Sequence, residues 1–593
     1  EALELIKTGQ DVFNNIEHLP CPTIAIIDGF CMGGGTELAL ACDYRIASDG
    51  KSTLIGLPEV KLGIHPGFGG VVRLTRIANP LQALEMMMSG RSLNSRQARK
   101  MGLVDYVQPE RQLTRAATRI ALSTPEKREM PWLGQILSLP LARPALTYIM
   151  KKQLAKKASV DHYPAPYAIL DLWNHYYGSP QMMQQEALSV ASLIQGNTVR
   201  NLIRVFFLQT RLKGLGDKKQ FQPKHVHVIG GGIMGGDIAA WCALKGLKVT
   251  LQDREPKYLS NAFARAHKLF ERKLKTRHEL NHAIDLLIPD CNGDGVPHAD
   301  VVIEAIFEDI EAKQAIYREI EPRIKNDAIL ATNTSSIPLE TLSEALQQPQ
   351  RLVGLHFFNP VAQMPLLEIV KTGKTPESIM RQASAFARHI GKLPLPVKSS
   401  PGFLVNRILM PYLIEAVTLY DEGVSAEAID MAASDFGMPM GPVELADTVG
   451  LDICLSVAQN LSEAYGFEVP NVLRKRVEAN SLGKKTGSGF YHYKKGKAVR
   501  DRDADLGNQG EIQNRLMYRL LNEAASCLRE GIVDDEELLD AGVIFGTGFA
   551  PFTGGPMNYA RHTGLQTLEN ALQAYQQRFG ERFKPDAGWT TFY

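Results

Sequence analysis

HVHVIGGGIMGGDIAAWCALKGLKVTLQD, residues 225–253, is the stretch on which the fold of most of this chain turns. Its apolar opening reads as a buried strand over 226–230, GGIMGG as a glycine turn, DIAAWCALKG as a helix ending at Gly246, and 247–253 as a second strand. Farther on, ADVVIEAIF (299–307) and AILATNTSS (328–336) are again strand-like, and apolar enough to be buried on both faces. Such a βαβ succession implies an α/β domain with a mostly parallel sheet. SSPGF (399–403) closes it, and helical patterning runs from there to the end.

Inside that stretch Gly230, Gly232 and Gly235 keep a G-x-G-x-x-G spacing around Ile233 and Met234, and Asp253 ends the next strand 18 residues past Gly235. Glycines let a backbone approach a pyrophosphate, a helix start offers unpaired N–H groups, and a carboxylate at the second strand end accepts from an adenosine ribose 2′-OH. The six residues are therefore the expected cofactor contacts of a Rossmann-type domain. An acid at 253 repels a 2′-phosphate, which favours NAD over NADP; Arg254 beside it is the group that would accommodate one.

Upstream, TIAIIDGFCMGGGTELALACD (23–43) reads as a short strand, a glycine turn and a helix, and TLIGL (53–57) as a strand ending at Pro58. Residues 81–185 are mostly helical in pattern, with breaks at Pro140, Pro144, Pro164 and Pro166. The stretch 190–211 reads as one amphipathic helix running into the polar RLKGLGDKKQFQPK (211–224), the first domain boundary. Toward the C-terminus the chain repeats itself. Asn406-Arg407, Glu415-Ala416 and Gly423 recur 108 residues on as Asn514-Arg515, Glu523-Ala524 and Gly531, and GMPMGP (437–442) is echoed by GFAPFTGGP (548–556). Several pairs at one offset indicate duplication.

At 593 residues, with 44% hydrophobic and 22% charged residues, this is a multidomain globular chain. Lys+Arg 66 against Asp+Glu 64 leaves +2, so no global field draws it to nucleic acid or an anionic membrane. No apolar run reaches the ~20 residues of a membrane span. The 7 cysteines are odd in number and scattered without a CxxC, so neither a disulfide framework nor a zinc site is indicated.

HVIGGGIMGGDIA, ADVVIEAIFED, ATNTSS, GLHFFNPV, LLEIV and SSPGFLVNRIL, in that order over 225–500, closely resemble the L-3-hydroxyacyl-CoA dehydrogenases. The resemblance implies that His356 is the general base, Glu368 its partner, that Ser335 and Asn406 hold the substrate oxygen, and that Glu304, Lys313 and Asn333 line the cofactor site. The chemistry suits these types. Oxidising a secondary alcohol needs a base that titrates near neutral pH, and a carboxylate on the far ring nitrogen fixes its tautomer.

Residues 23–105 resemble the enoyl-CoA hydratase/isomerase (crotonase) family through IDGFCMGGGTELALACDYRIA, GLPEVKLGIHPGFGG and GLVDYV. That resemblance places Glu37 and Glu59 about the substrate double bond and has Gly34 donate its N–H to the thioester oxygen as the oxyanion contact. Glu59 is assigned the carbon-2 proton and Glu37 mainly the water, with isomerase as a side activity. Family members carry about a hundred residues before the strand at 23, including the loop with the second oxyanion donor, so the resemblance implies an N-terminally incomplete domain. The expectation is that the 593-residue chain keeps dehydrogenase activity and has little hydratase activity.

As a whole the chain resembles the α-subunit type of the fatty-acid β-oxidation multifunctional enzymes, to which GKKTGSGFYHY (483–493) and GTGFAPFTGGP (546–556) also conform. The expected domains are a crotonase-like domain (1–185), a linker helix and loop (186–222), a Rossmann NAD-binding domain (223–400), and two copies of a helical dehydrogenase C-terminal domain (401–500 and 501–593). The second copy lacks a His/Glu pair and is expected to pack beneath the first domain or against the first copy. Implied partners are acyl-CoA thioesters (enoyl-CoA and 3-hydroxyacyl-CoA), a thiolase subunit contacting the exposed part of the 190–211 helix, and an oligomer or hetero-complex. The expected location is a bacterial cytoplasm, with a mitochondrial or peroxisomal matrix as the alternatives. Two rival readings use the same residues: a non-catalytic CoA-ester-binding assembly subunit, and a 3-hydroxybutyryl-CoA dehydrogenase working in the reductive direction.

Overall fold

The computed structural model describes residues 1–591. Two compact units divide the chain, Glu1–Phe206 and Phe207–Tyr593.

In the first unit six short strands form two three-stranded sheets. β1 (Ile24–Ile27), β3 (Tyr44–Ser48) and β6 (Tyr106–Gln108) pair in parallel in the order β1-β3-β6. The other sheet is β2 (Phe30–Met32), β4 (Leu54–Gly56) and β5 (Ser92–Asn94), with β2 parallel and β5 antiparallel to β4. The helix Gly34–Ala41 follows β2 through Gly33, whose φ of 56° is the left-handed turn the reading of 23–43 requires. Its Thr36 hydroxyl donates to Gly56 O, which ties the helix to the end of β4.

Two expectations for this unit change. Pro144, Pro164 and Pro166 do not break helices; they lie in the first turns of Ala142–Ala155 and Pro164–Tyr176, where an N–H has no intrahelical acceptor to lose. The single helix expected over 190–211 is two, Met182–Ile194 and Asn197–Gly214, parted at Gly196. Met182–Ile194 is not linker: it buries Met182, Glu186, Ala187, Val190 and Ala191 and packs on the helices Ala2–Glu17 and Gly70–Ile77. The division between units accordingly falls at 206/207 rather than within 211–224.

The second unit is built on eight strands: β7 (His225–Ile229), β8 (Lys248–Gln252), β9 (Leu287–Asp290), β10 (Val301–Glu304), β11 (Ile329–Thr332), β12 (Leu352–Phe357), β13 (Leu366–Lys371) and β14 (Leu393–Lys398). Their order is β14-β13-β12-β11-β10-β7-β8-β9, and every neighbouring pair is parallel except β12 with β13. The sheet is thus the mostly parallel one expected, with its strand order reversing between β7 and β10, where such sheets bind ligands. The helix after β7 starts at Ile233, inside the stretch read as a turn. Gly235 and Gly236 are needed there for close packing: a Cβ on Gly235 would lie 1.9 Å from Gly230 O, and one on Gly236 2.8 Å from Ala262 Cβ.

Beyond the sheet, the helices Val405–Asp421, Ala426–Phe436, Pro442–Val449 and Leu451–Tyr465 are repeated as Gln509–Arg529, Glu536–Thr547, Pro556–Thr563 and Leu565–Phe579. A hairpin, His492–Lys494 with Lys497–Val499, interrupts the helical region. The two copies pack on each other through Val405–Asp421 and Gln509–Arg529. Their recurring residues are the contact. Arg407 of the first copy pairs with Glu523 at 2.7 Å and Glu530 at 2.6 Å of the second, while Arg515 of the second pairs with Glu415 at 2.6 Å and Glu422 at 2.5 Å of the first. The guanidinium groups also match, Arg407 lying 4.1 Å from the Tyr465 ring centre and Arg515 4.4 Å from that of Phe579. This is an isologous contact made within one chain.

Arg515 and Glu415 are only 4% and 1% exposed, so removing one partner strands the other. Because Arg582 still holds Glu415 at 2.9 Å, Arg515→Ala is expected to cost about 3 kcal/mol, the low end for a broken buried pair. A lowered thermal midpoint of the second unit checks this; an unchanged midpoint would show that the swapped pairs are not what joins the copies.

Candidate active sites

The antiparallel register of β12 and β13 sets His356 directly opposite Glu368, so both side chains leave the sheet on one face. His356 Nδ1 and Glu368 Oε2 are 2.6 Å apart. With a carboxylate as acceptor Nδ1 carries the proton, which leaves the Nε2 lone pair free to act as a base. Glu368 is fully buried, and its other oxygen accepts from Leu404 N (3.2 Å) and Val405 N (3.0 Å) at the start of the helix Val405–Asp421. The chain reaches that position through Gly402 (φ 75°) and Phe403 (φ 51°). A left-handed phenylalanine is strained, and here the strain sits at the site: the Phe403 ring lies 5.5 Å and that of Phe358 4.5 Å from the imidazole.

Asn406, in the first turn of the same helix, donates from Nδ2 to Ser335 O at 3.3 Å, so the two residues expected to share an oxygen ligand are neighbours. The loop holding Ser335 is organised by Glu308, which the sequence reading passed over. Glu308 Oε1 accepts from Thr334 Oγ1 (2.6 Å), Ser335 N (2.8 Å), Ser335 Oγ (3.3 Å) and Ser336 N (3.2 Å). Burial would raise the Glu308 carboxyl, but the Lys313 charge and the Thr334 and Ser335 donors outweigh it and hold the group below its ordinary value.

Glu304 and Lys313, which the family resemblance assigns to the cofactor site, are enclosed in the protein. Both have no solvent exposure, and Glu304 is saturated by Ile306 N, Lys313 Nζ (2.7 Å), Tyr317 OH (2.7 Å) and Thr332 Oγ1 (2.8 Å). With every oxygen engaged inward, Glu304 braces the end of β10 behind the cofactor crevice. Lys313 bridges it to Glu308 at 3.4 Å. Asn333 accepts Phe357 N at 2.9 Å, which fixes the chain next to His356.

At the strand-order reversal, a Cβ on Gly230 (φ 112°) would lie 2.6 Å from Ala305 O, whereas one on Gly232 would meet nothing within 4 Å. Gly232 therefore faces open space at a helix start that no side chain caps, with Ile233 exposed and Met234 half-buried beside it. Asp253 accepts Gly231 N (2.7 Å) and Glu255 N (3.0 Å), which anchors the carboxylate beside this turn. An open glycine, an uncapped helix N-terminus and an anchored acid fit a dinucleotide.

The first unit holds a second constellation. Gly34 occupies the first position of its helix, where the N–H has no intrahelical acceptor, and is exposed. One turn on, Glu37 is buried and its Oε1 accepts Phe68 N (2.8 Å) and Gly70 N (2.9 Å). Burial outweighs these donors and the Arg73 charge and raises its carboxyl to about 7. Glu59 opens the short 3₁₀ turn Glu59–Leu62; both its oxygens are enclosed without a hydrogen-bond partner. Burial first, and the Glu37 charge second, raise it to about 8. A buried carboxyl left unpaired costs about 1–3 kcal/mol unless a ligand meets it, so this group marks a binding site. Sequence reading also missed Glu186, which lies in a helix that looked like linker; the only signal was an acid on its buried face. Among the described residues no cluster suited to a metal ion occurs, and no helix is long and apolar enough to cross a membrane.

Comparison with known proteins divides the chain along the same lines. Residues 225–400 match the NAD binding domain of 3-hydroxyacyl-CoA dehydrogenase, 402–493 and 510–591 each match its C-terminal domain, and 3–130 match enoyl-CoA hydratase/isomerase. The fatty acid oxidation complex subunit alpha of Shewanella loihica is 38% identical over 612 residues, covering 99% of this chain and 86% of that protein. Its counterpart from Shewanella amazonensis is 38% identical over 615 residues, covering 99% and 87%. The crystal structure of 3-hydroxybutyryl-CoA dehydrogenase from Escherichia coli superposes with a TM-score of 0.56 at 26% identity, over 63% of this chain and 98% of that one.

The raised carboxyls have a consequence for stability. Glu37, Glu59 and Glu186 hold protons in the folded unit at pH values where the unfolded chain, with carboxyls near 4.3, has released them. The folded state binds more protons in that window, so stability of the first unit falls as pH rises from about 4.5 to about 8. Glu59→Gln should flatten this slope in thermal unfolding. A variant as pH-sensitive as the parent would count against a protonated Glu59.

Proposed function

The chain belongs to the family of fatty acid oxidation complex alpha subunits, and from that premise we propose how its residues divide the work. It carries an enoyl-CoA hydratase/isomerase domain and an NAD-dependent 3-hydroxyacyl-CoA dehydrogenase. In the dehydrogenase, His356 Nε2 takes the hydroxyl proton of L-3-hydroxyacyl-CoA as carbon 3 becomes a ketone. Glu368 keeps the tautomer that exposes Nε2 and offsets the charge of the imidazolium. Ser335 and Asn406 orient the substrate oxygen, Glu308 holding the Ser335 loop in place. NAD supplies the acceptor for the hydride. Gly232 would leave room for its pyrophosphate at the start of the helix Ile233–Leu244, where Ile233 and Met234 lie, with Gly230 and Gly235 keeping the turn close-packed, and Asp253 would hold the ribose. The observation that carries this reading is the 2.6 Å His356–Glu368 pair on the sheet whose strand order reverses between β10 and β7.

For the hydratase, Glu59, held near 8, is the protonated partner at neutral pH and delivers a proton to carbon 2. Glu37, with the lower value of about 7, positions and deprotonates the water that adds to carbon 3. Gly34 N–H takes the thioester oxygen, where charge develops. The hydratase product is the dehydrogenase substrate, and fusion raises its effective concentration. The 3-oxoacyl-CoA product calls for a thiolytic cleavage, and the relatives are named as subunits of a complex; both support a thiolase subunit as partner, in the cytoplasm of a bacterium like those of the relatives.

His356→Gln should lower kcat by ~10²–10⁴, followed as NADH absorbance with 3-hydroxybutyryl-CoA, while NAD affinity measured by equilibrium binding stays near that of the parent. Parental turnover in a folded His356→Gln protein would remove the imidazole from the mechanism.

A further inference from the structure

The loop from Phe68 to Val72 donates five successive backbone N–H groups, and all five go to carboxylates. Phe68 N and Gly70 N point to Glu37 Oε1, at 2.8 and 2.9 Å. Gly69 N (2.6 Å), Val71 N (3.0 Å) and Val72 N (3.3 Å) point to Glu186. The interleaving means that one strand of chain runs between two acids, each holding it from its own side. Glu186 is fully buried and comes from the helix Met182–Ile194, more than a hundred residues away in sequence.

The same helix grips the loop at other points. His65 Nε2 lies 2.8 Å from Ser189 Oγ, and Val190 stands where a Cβ on Gly67 would be at 3.2 Å. From the helix Ala2–Glu17, Gln10 Nε2 donates to Gly67 O (3.0 Å), Met183 O (2.9 Å) and Glu186 Oε1 (3.4 Å). Such a network fixes which N–H groups can face Glu37. If the loop relaxed, Glu37 would lose the Phe68 and Gly70 donors.

We propose that Glu186 is a positioning residue of the hydratase site: by taking the N–H groups of residues 69, 71 and 72 it presents those of 68 and 70 to Glu37. This rests on the reading of Glu37 as the water-activating carboxylate. The charged and titratable groups facing Glu186 are few. Glu37 lies across the loop. Arg73 has its Nη1 on Phe68 O and its Nε paired with Glu17 at 2.9 Å. His65 is kept neutral by burial, its value lowered to about 4. Glu37 is also the neighbour whose charge, after burial, raises Glu186 to about 8.

Two variants test the grip on the loop. Glu186→Gln turns an amide N–H₂ toward N–H donors; Glu186→Asp withdraws the carboxyl on a shorter arm. In hydration of crotonyl-CoA both are expected to lower kcat about 10–100-fold with little change in KM, and, as Glu37 loses its donors, to move the pH-rate limb that belongs to Glu37 to higher pH. Independently of turnover, the carboxyl titration of Glu37, identified in infrared difference spectra by its loss in Glu37→Gln, should shift to higher pH in Glu186→Gln. A Glu186→Gln protein with lowered thermal stability but an unmoved Glu37 titration would reduce Glu186 to a fold residue and overturn the proposal. If Glu37→Gln hydrates as fast as the parent, the hydratase reading itself fails and takes this proposal with it; if Glu37→Gln is inactive and Glu186→Gln matches the parent, the reading stands and only the proposal falls.

Discussion

One carboxylate joins the parts of the second unit. Glu368 uses one oxygen to hold His356 across the β12–β13 pair and the other to receive the first N–H groups of the helix Val405–Asp421. The sheet delivers the imidazole, and the helical region delivers the amides that keep its partner in place. Turning β13 antiparallel in an otherwise parallel sheet is what makes this possible, because only a strand that doubles back sets residue 368 opposite residue 356. The strained backbone at Phe403 follows from the same constraint, since the chain must turn sharply to bring Leu404 and Val405 to one oxygen.

The two sites manage buried carboxylates in opposite ways. Glu304 and Glu368 are closed in and fully supplied with donors, so they act as fixed struts. Glu59 is enclosed and supplied with none. An acid in that state favours its proton, which suits a group that must give one away. Glu37 stands between these extremes, with two donors that keep it easier to ionise than Glu59. A difference in hydrogen bonding between Glu37 and Glu59 thus fits them for different tasks without any change of residue type.

The duplicated helices show how a repeat can close on itself. Arg407, Glu415, Glu422, Tyr465 and their equivalents in the second copy form the same contact twice, in opposite directions. Arg407 and Glu415, two of the residues that made the repeat visible at an offset of 108, are among those that join the copies, whereas the His/Glu pair has no counterpart in the second copy. Each arginine is satisfied by two acids and an aromatic face, so the pairs can be buried where a lone charge could not.

Local pattern alone was enough for the βαβ succession and the duplication, while His356, Glu368, Glu37 and Glu59 were reached through resemblance to known families. Strand periodicity, glycine spacing and repeated signatures are short-range properties, and they survive in a one-dimensional record. Where the pattern misled, the tertiary structure decided. Pro144 and Pro164 looked like breaks because a helix start and a helix stop share the same residues. Glu304 was assigned to the cofactor site by resemblance, and its burial could not be read from a strand end. Glu308 and Glu186 went unnoticed because each acts on a loop 26 or more residues away. What a carboxylate does depends on which backbone N–H groups the fold brings to it and how much water it leaves, and both are settled only when distant segments pack.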